Sequence, residues 1–296
     1  MKKQRGAQLV ESRLKPGPVR RTNFDSDGTP LIRERVLRNR VFRFSGTCCL
    51  FYMTALLLIA QGERDSSGLD HRRPAVLFQV STLDALSLGL YHGVYALGAL
   101  KRRGDFGLGT FEGIDGEMTI LDGHVYHFRS NGVVTEEPDC SRVPFAVITT
   151  FHSSLRFRAN GASMDELGRQ IDQYIPSTNL FYAIRIHGTF YELTTRAIPK
   201  LFPPYPPLSK AVEEEVEFPF QNIDGTLVAF RGPAWVKGIN QVGYHYHFIS
   251  DDKSAGGHAL SFTTGPVTVD IQEVQQNSIW VPDKGPFLAA PLPVTQ

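Results

Sequence analysis

Cysteine is scarce in this chain of 296 residues: only Cys48, Cys49 and Cys140 occur. Two of them are adjacent and no C-x-x-C spacing exists, which excludes a disulfide scaffold and a thiolate zinc site. Charge of one sign is lacking too. The formal net charge is +1, so no global field argues for a nucleic-acid partner. Long apolar runs are missing as well. The run CCLFYMTALLLIA, Cys48 to Ala60, falls short of the roughly twenty residues that a membrane-spanning helix needs.

What is present is unevenly spread. Residues 1–43 hold twelve Lys/Arg against four Asp/Glu, a net of +8, which leaves −7 on the remainder. A basic leader therefore precedes a mildly acidic body. The apolar run after it resembles a signal-peptide core, with Ala60-Gln61-Gly62 as a small-x-small cleavage site. Secretion, anchoring through membrane contact at 48–60, and a helix packed on a cytoplasmic body are the alternatives. Residues 1–74 read as leader, apolar segment and linker, disordered or targeting.

From Ala75 the chain has the length and the 42% hydrophobic content for a sizeable core. AVLFQV reads as a buried strand. Ser81 or Thr82 then caps a helix through LDALSLGLYHGVYALGAL, whose apolar residues recur at helical spacing. The glycine-rich stretch from Gly104 carries Asp115-Gly116, Asp122-Gly123 and Asn131-Gly132, hairpin-turn dipeptides between short strands. Ser163 to Glu166 forms a capping box that opens a helix to about Tyr174. NLFYAIRIHGTFYELTTRAI is strand-like, with His187-Gly188 near a turn. After a proline-rich connection, GTLVAFRGPAWV, GYHYHFIS, HALSFTTG and PVTVDIQEVQQNSIWV are strand-like again. Glu213 to Glu215 reads as a solvated charge run. The fold class is α+β: two tandem β-rich domains with a few helices and mixed sheets. The first spans 75–178, the second, metal-binding, 179–281, and a tail follows at 282–296.

Three of the nine histidines stand in GYHYHFISDDKSAGGHALSF. On a strand, His245 and His247 project to one face, roughly 7 Å apart. His258 follows a glycine pair at which the chain can turn back. Three imidazoles on one ion suit zinc or another first-row metal and leave a position open for water or substrate. The competing reading is a pair of half-exposed strand histidines and an unrelated loop histidine. His92, His124, His127, His152 and His187 show no such clustering and read as surface or core residues. Glu117, in a turn-rich segment, is either an exposed hairpin carboxylate or an acid–base group. Arg185, inside an apolar strand, is either solvated or buried against a carboxylate.

GLGTFEGIDGEMTILDGHVY, NLFYAIRIHGTF and GYHYHFISDDKSAGGHALSF, in that order, resemble α-acetolactate decarboxylases over roughly 75–281. The resemblance implies one Zn2+ held by His245, His247 and His258, with Glu117, Arg185 and Thr110 at the catalytic site. It implies conversion of 2-acetolactate to acetoin and CO2 through a metal-stabilised enediolate, by a homodimer. Family members can also bring a glutamate from a C-terminal tail, whereas PDKGPFLAAPLPVTQ contains none. A non-catalytic zinc-bound β-module or inactive homologue is the first alternative. A cupin-like metal oxygenase, with Asp251 or Asp252 as its carboxylate, is the second.

Overall fold

The computed structural model describes residues 74–292. The basic leader, the apolar run and its cleavage site lie outside the described residues. Along the chain come β1 (Val76–Val80), α1 (Leu83–Ser87), β2 (Tyr95–Ala96), α2 (Leu97–Lys101), β3 (Phe106–Phe111), β4 (Asp115–Leu121) and β5 (His124–Phe128). Then follow β6 (Val134–Glu136), β7 (Arg142–Val143), β8 (Phe145–Thr149), β9 (Leu155–Ala159), α3 (Met164–Tyr174) and β10 (Phe181–Ala197). The last elements are α4 (Leu208–Ala211), β11 (Val216–Gly232), β12 (Gly243–Ser250), β13 (Gly256–Val274) and β14 (Gln276–Trp280). Strand dominates, as expected.

The first sheet has the order β14-β1-β8-β3-β4-β5-β6, antiparallel throughout except for the parallel β1–β14 pair. The second runs β10-β11-β12-β13-β9, and β10 also pairs with β13. The four strands β10 to β13 thus close into a small barrel. The two sheets do not divide the chain into the two tandem domains expected from the sequence, because their strands interchange. β9, from the first block, edges the second sheet, and β14, from the last, edges the first. The described residues, 74–292, fall in one compact unit.

Period-2 alternation sorts the apolar residues into layers. Tyr182, Ile184, Phe190, Tyr246, Phe248 and Phe262 fill the barrel interior, together with Leu167 and Ile171 of α3. Phe106, Leu108 and Val147 of the first sheet face Val228, Phe230 and Ile249 of the barrel. Met118, Ile120 and Ile148 point to the first sheet's other face, under Leu97 and Leu100 of α2. The capping box is present as read, with Ser163 and Glu166 bonded reciprocally.

Two expectations need correction. The long helix from Thr82 breaks after Ser87: Thr82 caps α1, but the chain leaves it at Gly89, φ +85. A Cβ at Gly89 would lie 2.6 Å from the Pro206 carbonyl oxygen. Downstream, the Val94 N–H bonds Val143 and Tyr95-Ala96 pair with β7, so strand pairing takes the backbone groups a helix would have used. His187-Gly188 is no chain reversal either. It lies within β10, where Gly188 (φ +146) is flanked by Gly225 and Val267. Among the described residues no helix is long and apolar enough to cross a membrane.

Candidate active site

β12 and β13 meet for only three residue pairs, at the seam that closes the barrel, and His247 stands directly opposite His258. Opposed residues of an antiparallel pair share a face, and so do residues two apart on one strand. All three histidines therefore look outward from the barrel toward the first sheet, while Tyr246 and Phe248 go into the core. Their ligand nitrogens lie within 4.8 Å of one another. His245 Nε2 and His258 Nδ1 are 3.2 Å apart. Two nitrogens on a tetrahedral zinc, each bonded at about 2.0–2.1 Å, are roughly 3.3 Å apart. His247 Nδ1 is 2.8 Å from the Met118 carbonyl oxygen. A carbonyl only accepts, so Nδ1 carries the hydrogen and Nε2 presents its lone pair, the arrangement a metal-ligating histidine needs.

Electrostatics point the same way. Burial pushes His245 down to about 4, and the Arg196 charge adds to that. His247 and His258 are held well below the ordinary imidazole value by burial, with His245 and Arg196 contributing. All three are neutral near pH 7, the form that binds a metal. These residues can hold a metal ion.

The first sheet supplies the acid. Because Met118 points to the outer face, its neighbour Glu117 points at the barrel. Its Oε2 lies 3.5 Å from His247 Nε2 and its Oε1 lies 3.9 Å from Arg196 Nη1. Burial raises Glu117 to about 7, opposed by Arg196 and assisted by Glu215. With His247 neutral and Glu117 so raised, their approach is a weak acid beside an imidazole rather than an ion pair. The turn before Glu117 is fixed from several sides. The Thr110 hydroxyl donates to the Gly116 carbonyl at 2.7 Å, and the Gly116 N–H reaches Ile198 at 2.9 Å. Gly116 has φ +61, and a Cβ there would meet the Phe128 carbonyl oxygen at 2.2 Å. Thr110 thus anchors the backbone that aims Glu117.

Arg185 is not brought to the histidines. It pairs with Asp122 and lies over the rings of Phe106 and Phe151, lining a separate cleft of about 480 Å³ with Arg156, His187, Asp251 and Asp270. The arginine at the site is Arg196, opposite His258 in the register, which the sequence reading passed over. Glu215 does not share the solvated face expected for the run Glu213 to Glu215. Glu213 and Glu214 are exposed, but Glu215 is half-buried with Oε2 3.1 Å from Arg196 Nη1. Neither aspartate after His247 joins the site. Asp251 lines the other cleft, near His187 at 3.8 Å, and Asp252 is bonded to Ser250 and Ser254. His124 and His127 do fall on opposite faces of β5: His124 is exposed, whereas His127 is buried, stacked on Phe111, with Nδ1 2.9 Å from Glu137.

The model of the family described as alpha-acetolactate decarboxylase matches residues 77–293. Among curated proteins, the alpha-acetolactate decarboxylase of Methanosarcina mazei is 44% identical over 202 residues, covering 67% of this chain and 70% of that one. The Bacillus subtilis enzyme is 35% identical over 236 residues, covering 79% and 90%. The crystal structure of alpha-acetolactate decarboxylase from B. subtilis superposes with a TM-score of 0.72 at 35% identity, covering 74% of this chain and 94% of that one. With a match that runs across both sheets and through the three histidines, the chain belongs to the alpha-acetolactate decarboxylase family, a family of carboxy-lyases.

Proposed function

We propose that this protein is a zinc-dependent acetolactate decarboxylase that converts 2-acetolactate to acetoin and CO2. The observation that carries the reading is the meeting of three neutral imidazoles with one raised carboxyl and one half-buried guanidinium. His245, His247 and His258 would hold the ion. When bound, zinc supplies Lewis-acid stabilisation of negative charge on substrate oxygens. Its chemistry suits the reaction, because loss of CO2 sends the electron pair of the broken C–C bond toward the neighbouring ketone oxygen.

The remaining roles fall to the chain. Arg196 Nη1 is buried and makes no hydrogen bond, so it has a donor to offer the substrate carboxylate or the developing oxyanion. Glu117, whose carboxyl is held above the ordinary carboxylate range by burial, stands beside the histidines where it can hold the proton that is delivered to carbon. Thr110 keeps Glu117 aimed through the Gly116 carbonyl. In this reading Arg196 takes the part first given to Arg185. The homodimer implied by the family resemblance belongs to the same proposal and is tested by sedimentation.

The experiment is direct. Purified full-length protein should form acetoin from 2-acetolactate, lose that activity to a chelator, and regain it with zinc. Zinc-loaded protein that forms no acetoin overturns the reading. The double substitution His245→Ala and His247→Ala should strip the metal, and unchanged zinc content would remove these residues as ligands.

A further inference from the structure

Arg196 stands opposite His258 of β13 on one side and Glu217 of β11 on the other. Glu217, Glu213 and Glu214 are exposed, whereas Glu215, one residue before β11, turns inward. Glu215 Oε2 is 3.1 Å from Arg196 Nη1, and Glu117 Oε1 is 3.9 Å from the same nitrogen. That nitrogen is buried and forms no hydrogen bond. The Glu215 contact is therefore one of charge, not a directed N–H···O bond. It restrains a side chain with several rotatable bonds and leaves its N–H directions free for an incoming oxygen.

We propose that Glu215 is a positioning residue that holds the Arg196 guanidinium at the histidine cluster to receive the substrate carboxylate. The proposal rests on the decarboxylase reading above. It explains why one glutamate of an otherwise exposed run is drawn inward. A guanidinium left unrestrained would sample orientations that miss the substrate, and orientation is a large part of what a binding arginine contributes.

The test uses the zinc-loaded full chain and two ligands: 2-acetolactate, and 2,3-dihydroxy-2-methylbutanoate, its non-reacting reduced analogue. Glu215→Gln keeps the shape and removes the charge. It should lower kcat/KM about tenfold, mainly through KM, and weaken analogue binding by calorimetry by a similar factor. Zinc content should stay unchanged. In an Arg196→Gln background, Glu215→Gln should cost no further analogue affinity, because the partner it restrains is gone. Wild-type affinity in Glu215→Gln, or an equal loss in the Arg196→Gln background, overturns the proposal. If Glu215→Gln does not fold, Glu215→Asp carries the test: retained charge at shorter reach predicts a smaller loss with the same non-additivity, and full additivity overturns it. Zinc-loaded wild type that binds the analogue but forms no acetoin counts against the decarboxylase reading instead, and leaves the affinity comparison to decide the role of Glu215.

Discussion

Arg185 and Arg196 belong to one strand, and their side chains meet different partners. Arg185 faces Asp122, a partner with 67% of its side chain exposed, and such pairs are worth about 0–1 kcal/mol. Arg196 is half-buried, with its Nη1 enclosed, among the histidines and two carboxylates. Arg196→Lys keeps the charge but loses the planar fork. Turnover should fall by roughly two orders of magnitude, or about 2.7 kcal/mol, with zinc content unchanged. Arg185→Lys should leave turnover within about threefold and move stability by less than about 1 kcal/mol. Steady-state kinetics with metal analysis decides, and the reverse ranking would return Arg185 to the site. The histidines were legible because His-x-His on a strand fixes a shared face without further context. The arginine was not, because alternation along β10 is interrupted. Buried positions run Ile184, Ile186, Phe190, then Leu193, Thr195 and Ala197, so the parity of the inward face reverses. Register shifts against β13 at Gly188/Phe190, Phe190/Glu192 and Thr194/Thr195 accompany that reversal. Irregularities of this kind are set by pairing with a distant strand, which no local window reveals.

At the level of elements, the site depends on how β13 begins. Gly257 has φ +121, and a Cβ there would stand 2.8 Å from the Arg196 carbonyl oxygen and 2.9 Å from Thr195 Oγ1. Thr195 is itself committed to the Gly256 carbonyl at 2.6 Å. Gly257→Ala should therefore push β13 off β10 and shift its neighbour His258, with loss of stability and at least about a tenfold loss of zinc affinity. Gly123→Ala is the control. Gly123 also has a positive φ, +81, but nothing lies within 4 Å of its Cβ position, so it pays the backbone strain of about 1–2 kcal/mol alone. Zinc titration of the two variants separates displacement from strain, and equal zinc affinities would remove the seam from the argument. The sequence showed Gly256-Gly257 as a place to turn back. The reversal occurs just before it, at Asp251 to Ala255, and the glycines instead allow the close approach of β10. The helix at Met164–Tyr174 was legible to its ends because its cap is local. The helix expected to continue beyond Ser87 is interrupted by pairing with β7, a partner far along the chain, and only its end is helical, as α2.

Across the folded body, residues 74–292, the same distinction between local and distant partners explains the interchanged sheets. Asp122-Gly123 and Asn131-Gly132 do join antiparallel neighbours, whereas Asp115-Gly116 lies inside β4 after a turn at Glu112–Ile114, and β14 pairs parallel with β1 from the other end of the chain. One consequence is that acid acts on the fold as a unit through histidines buried in the neutral form. His127 is the clearest case outside the metal cluster. It is 2% exposed, and Glu137, Arg129 and Asp115 face it. Burial is the largest influence and holds its imidazole below the usual 6.5, against the opposing hydrogen bond to Glu137. Glu137 is lowered as well. Its own burial works against that and is outweighed by hydrogen bonds from Ser141, His127 and Arg129. The sign is the same for both groups. As pH falls below about 6.5, unfolded His127 takes up a proton that the folded site refuses, and below about 4.5 unfolded Glu137 does likewise. Stability is present above these values and is lost on acidification, at up to about 1.4 kcal/mol per pH unit for each proton. Zinc-loaded protein should thus melt at progressively lower temperature from pH 7 to pH 5. In His127→Gln, which retains a neutral donor and cannot charge, the melting temperature should depend less steeply on pH over that interval. Because the metal is present in both proteins, protonation of the cluster histidines is common to the two curves. Parallel curves would mean that His127 titrates as it does in the unfolded chain, and that its burial beside Glu137 contributes nothing to the acid response.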